Sequence, residues 1–71
     1  MTTSIANSRT RGPFLAEVTV AGDGLTVKEA RDAARVEGAR LLGTDDVRIE
    51  NKGWTRSNGA GYGFYDVLTG C

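Results

Sequence analysis

The sequence predicts a small α+β domain of β-α-β-β order, with a three-stranded antiparallel sheet in strand order 1-3-2 and one helix packed on one face. Three observations carry that reading. Residues 14–21 alternate apolar and polar, the pattern of a half-buried strand. Thr26-Val27-Lys28-Glu29 matches a helix capping box and opens a run of helical period. Asn58-Gly59, the dipeptide that best suits a type I′ turn, divides two runs rich in strand formers.

Residues 1–12 are mostly Ser, Thr, Asn and Arg, with a single isoleucine beside Met1, Ala6 and Gly12, too little apolar area to order themselves, and are expected to form a disordered basic arm. Arg9 and Arg11 make its end basic, so it either grips phosphates or simply aids solubility. Residues 13–71 then form the domain. Pro13 lacks a donor and suits the start of a strand in which Phe14, Ala16, Val18 and Val20 point one way and Leu15, Glu17 and Thr19 the other. A turn at Ala21-Gly22-Asp23-Gly24 leads to the helix. At 100° per residue, Val27, Ala30, Ala34, Gly38 and Leu41 fall on one stripe with Leu42 at its edge, and small residues every four positions let the backbone approach a sheet closely. Lys28 with Asp32 and Glu37 with Arg40 pair on the exposed side, and Gly43 stops the helix.

Counting outward from Asn58-Gly59, Ser57 faces Ala60, Thr55 faces Tyr62, Trp54 faces Gly63, Gly53 faces Phe64, Lys52 faces Tyr65, Glu50 faces Val67 and Ile49 faces Leu68. In this register Val47, Ile49, Asn51, Gly53, Thr55, Tyr62, Phe64, Asp66 and Leu68 form the core face, and Phe64 and Trp54 each cover a bare glycine. A turn or bulge at Asn51-Lys52-Gly53 would shift everything before it by one residue. The right-handed crossover places the first two strands parallel, with the last strand between them.

Composition narrows the chemistry. Nine basic and nine acidic residues balance, so the whole molecule has no field that attracts nucleic acid or a membrane. Cys71 is the sole cysteine, which excludes an internal disulfide and points to a free thiol in a reducing compartment. No apolar run is long enough for a signal peptide or a membrane span, which makes a cytoplasmic location the expectation. Without histidine, Ser4, Ser8 and Ser57 have no candidate base for a nucleophilic triad. Asp23, Asp45 and Asp46 match no calcium loop, and the Gly59-x-Gly61-x-Gly63 run enters a strand instead of the helix that a phosphate cradle needs. The expectation is a non-enzymatic protein with no cofactor or metal.

The second sheet face, carrying Trp54, Tyr65, Arg48, Lys52, Arg56, Val67 and Leu15 among Glu17 and Glu50, is left exposed by the single helix and is the predicted interaction face. It predicts self-association or docking on another protein, since a domain this small gains stability from a partner. A second expectation is single-stranded nucleic acid, with bases on Trp54 and Tyr65 and phosphates on Arg48, Lys52, Arg56, Arg9 and Arg11.

The strand-helix-strand-strand order over residues 14–68, the length and a lone tryptophan on the second strand resemble the dodecins, small flavin-binding proteins whose family forms hollow twelve-subunit shells. The resemblance implies an oligomer that stacks a planar ligand on Trp54. It lies in topology only: Trp54 comes late in its strand where that family's tryptophan comes early, and the chain has no glutamine to match the one that contacts flavin, so no binding residue is transferred.

Overall fold

A computed structural model describes residues 3–70. The elements run β1 (Thr3–Thr10), β2 (Leu15–Asp23), α1 (Val27–Leu42), β3 (Val47–Ser57) and β4 (Ala60–Thr69). They build one four-stranded sheet in the order β1-β2-β4-β3, every neighbour antiparallel, with α1 against one face. This corrects the three-stranded sheet expected from the sequence: residues 3–10, read there as a disordered arm, form an edge strand. All but one of its residues are exposed, so β1 carries no apolar signal. It is held instead by its ladder to β2, by Ser8 Oγ donating to Glu37 Oε2 on α1 at 2.7 Å, and by Arg9 Nε donating to Glu17 Oε1 at 2.9 Å. Met1, Thr2 and Cys71 lie outside the described residues, and with them the expectation of a free thiol.

The helix starts and stops as its caps dictate. Glu29 N donates to Thr26 Oγ1 and the Thr26 N–H donates to Glu29 Oε1, while Gly43 closes the other end at φ 73° with its N–H on Ala39 O. Ala30, Ala34 and Gly38 are the buried residues of α1. At Gly38 a Cβ would fall inside the Val67 side chain, so that glycine sets the distance between helix and sheet.

Asn58 and Gly59, at φ 52° and 83°, make the expected turn, and the register next to it is Ser57 with Ala60, Thr55 with Tyr62, Trp54 with Gly63 and Gly53 with Phe64. Beyond Gly53 the ladder slips at a bulge. Asn51 pairs with Tyr65, Glu50 with Asp66, Ile49 with Val67 and Arg48 with Leu68, leaving Lys52 as the extra residue; Asn51 Oδ1 accepts from Gly53 N at 2.8 Å and holds the kink. The slip brings Val47 and Ile49 to the side on which Trp54 stands. On β2, Ala16, Val18 and Val20 are all buried, and their partners Val67, Tyr65 and Gly63 share their side. The face beneath the helix is therefore the one carrying Trp54, Tyr65 and Val67, the reverse of the expected assignment. Its core is Ala16, Val18, Val20, Leu25, Ala30, Ala34, Val47, Tyr65 and Val67. Among the described residues, no helix is long and apolar enough to cross a membrane.

Candidate functional site

One helix covers one face, so the other face of the sheet is open. Cross-strand pairing arranges that face in rows. Leu15, Leu68 and Arg48 make the first, and Arg9, Glu17, Asp66 and Glu50 the second. Asn7, Thr19, Phe64 and Gly53 make the third, and Ala21, Tyr62 and Thr55 the fourth. Phe64 is 40% exposed and its ring lies over Gly53.

The charged row neutralises itself. Glu17 accepts from Arg9 at 2.9 Å and meets Arg11 at 3.6 Å, while Lys52, standing out on the bulge, reaches Glu50 at 3.2 Å and Asp66 at 3.9 Å. The hydrogen bond to Glu50, aided by its charge and that of Asp66, raises the Lys52 pKa above the ordinary lysine value. Exposed pairs of this kind add little stability, but they leave the face without net charge at this row. Beside them Asn7, Thr19, Lys52 and Phe64 help line a shallow depression of about 290 Å³.

The structure divides the predicted interaction set. Leu15, Arg48 and Lys52 stand on the open face. Tyr65, 2% exposed, and Val67, fully buried, lie under α1. Trp54 is half-buried on the helix side: a Cβ on Gly61 or Gly63 would come within 3.1 or 3.0 Å of its ring, and the Arg56 guanidinium sits 5.9 Å from the ring centroid. Arg56 itself donates to Leu25 O at 3.3 Å. Burial raises the Tyr65 pKa above the ordinary tyrosine value, with Arg31 partly opposing, and its hydroxyl has no hydrogen-bond partner among the described residues.

Tyr62, Phe64 and Leu68, which the sequence assigns to the core, stand with Leu15 as apolar residues of the open face. The signal that could have placed them is the run Ala16, Val18, Val20, which has the better claim to the covered side because its alternate residues Glu17 and Thr19 are polar. No protein-family model, curated protein or solved structure matches this chain. The likeness to the dodecins thus has no match behind it, and Trp54 packs inward where that likeness needs it on an open surface.

Proposed function

We propose that the protein is a non-enzymatic association module whose open sheet face binds a second copy of the chain. The observation that carries this reading is the uncovered face itself, with Phe64, Tyr62, Leu15 and Leu68 set among ion pairs that neutralise one another. Two such faces stack with their ion-pair rows neutral, the apolar side chains meeting at the sheet-to-sheet spacing of about 10 Å. Four strands at about 4.8 Å, about 32 Å long on average, present roughly 620 Å². A pair of copies then buries about 1,240 Å², at the lower end of stable interfaces. The lack of histidine, and of any serine or cysteine with a base to activate it, favours binding over catalysis.

Light scattering on the purified chain tests the proposal, with twice the 7.5 kDa chain mass expected for the wild type. Phe64→Glu, on an exposed site, keeps its circular dichroism and weakens the dimer by about 30-fold, the cost of losing an aromatic anchor worth about 2 kcal/mol. A wild-type chain that stays monomeric at high micromolar concentration refutes the reading.

A further inference from the structure

The formal charge of zero hides an uneven distribution. Among the described residues Arg9, Arg11, Lys28, Arg40 and Lys52 each have a carboxylate partner, and Arg31, Arg35, Arg48 and Arg56 have none. Arg48 is on the open face. The other three gather on the opposite layer, along the flank where α1 runs beside β3.

A groove of about 380 Å³ lies on that flank, lined by Val27, Lys28, Arg31, Asp32, Arg35 and Ile49. Its one carboxylate, Asp32, is taken by Lys28 at 3.0 Å. Two of the unpaired guanidiniums are anchored on main-chain carbonyls at either end of the flank: Arg56 Nη2 on Leu25 O at 3.3 Å and Arg35 Nη1 on Val47 O at 3.2 Å. Each anchor uses one of five donors and holds a guanidinium that is pre-organised for further bonds. Asp45 lies beyond Arg35, in the depression by the C-terminal end of α1. The lining of the groove therefore carries Arg31 and Arg35 in excess of its one carboxylate.

We propose that this groove binds the sugar-phosphate backbone of a single-stranded nucleic acid. From Val27, where α1 begins, to Arg35 is about 12 Å at 1.5 Å per residue, longer than a single phosphate group. A lone phosphate or carboxylate meets only one or two of Arg31, Arg35 and Arg56, whereas a strand meets all three. Val27, 51% exposed, with Ile49 and the half-buried Trp54, sets apolar surface beside the cations. That combination suits phosphate next to a flat base better than it suits an acidic peptide. Because Arg56 already occupies the neighbourhood of the Trp54 ring, charge supplies most of the binding, and sequence preference is weak.

The test is fluorescence anisotropy of the full chain with a labelled oligothymidylate of about a dozen nucleotides, long enough for a site of this span. Three phosphates neutralised at about 0.7 each give a salt slope near −2, or about 20-fold weaker binding between about 50 and about 200 mM salt. Arg31→Ala, which removes a side chain with no hydrogen bond among the described residues, should bind several-fold more weakly with the slope reduced by about 0.7. Arg48→Ala and Phe64→Glu, on the other layer, should bind as the wild type does, which keeps this site separate from the proposed dimer face. The proposal is overturned by no binding at low salt, by Arg48→Ala losing as much as Arg31→Ala, or by polyglutamate or a duplex of equal length binding as tightly as the single strand.

Discussion

Replacing Tyr65 with phenylalanine should make the protein more stable, an uncommon outcome for a change in a core. The Tyr65 hydroxyl is buried and has no partner among the described residues, so folding strips its water and returns no hydrogen bond from them. Such a group costs about 1–3 kcal/mol. Removing the oxygen leaves a void on the order of 10 Å³, which at about 24 cal/mol per Å³ takes back about 0.2 kcal/mol. The net gain is about 1 kcal/mol at the low end, or about 4–8 °C in Tm for a domain of this size. Urea unfolding followed by circular dichroism should show a higher midpoint with an unchanged slope. Alkaline titration gives a second readout. Burial raises the folded pKa, so the stability tied to the neutral phenol is whole below the ordinary tyrosine value near about 10 and is lost as pH climbs through the raised folded value. The wild type should lose that component on the alkaline side and Tyr65→Phe should not. A variant less stable than wild type by about 1 kcal/mol refutes the reasoning, because it means the hydroxyl donates a hydrogen bond that folding preserves.

Two further changes test what holds the layers together. Gly38→Ala should cost about 2 kcal/mol despite a gain of up to about 1 kcal/mol in helix propensity, because its methyl collides with Val67; Val67→Ala in the same chain should recover part of the loss in a double-mutant cycle. Hydrogen bonds from Arg40 and then Ser8 hold the Glu37 carboxyl below its ordinary value, so its contribution is present above about pH 4.5 and lost as pH falls through the folded pKa. Glu37→Gln should therefore destabilise by about 1 kcal/mol at neutral pH and not in acid, with faster amide exchange in β1 as the local readout.

The parts of the fold that were legible in the sequence are those whose cause is local. Thr26 and Glu29 cap a helix whatever surrounds it, Asn58-Gly59 turns a hairpin by its own φ preference, and the Ala30, Ala34, Gly38 stripe needs only a surface to lie on. Strand β1 was illegible because its support is remote: Ser8 finds Glu37 and Arg9 finds Glu17 only after β2 and α1 are in place. The site failed at one residue. Asn51-Lys52-Gly53 carries the composition of a turn and of a bulge alike, and the choice between them decides which side of β3 looks inward. The straight ladder gave Val47 and Ile49 to the face of Phe64. The bulge gave them to the face of Trp54, which with Tyr65 and Val67 lies under the helix, while Leu15, Arg48 and Lys52 stand on the open face.

That same residue shapes both proposed surfaces. Had β3 continued in one register through Lys52, Val47 and Ile49 would face solvent beside Phe64, and Arg48 and Glu50 would turn beneath α1, where unpaired charge is costly. By leaving Lys52 outside the ladder, the bulge sends its ammonium over Glu50 and Asp66, which neutralises the row next to Phe64 on one layer. On the other it turns Ile49 inward to floor the groove below Arg31 and Arg35. The faces thus share an origin in the backbone but no side chain: Phe64 lies on the open layer and Arg31 on the helix, with the sheet between them. Binding at one need not obstruct the other, and a dimer joined through Phe64 would carry two grooves facing outward.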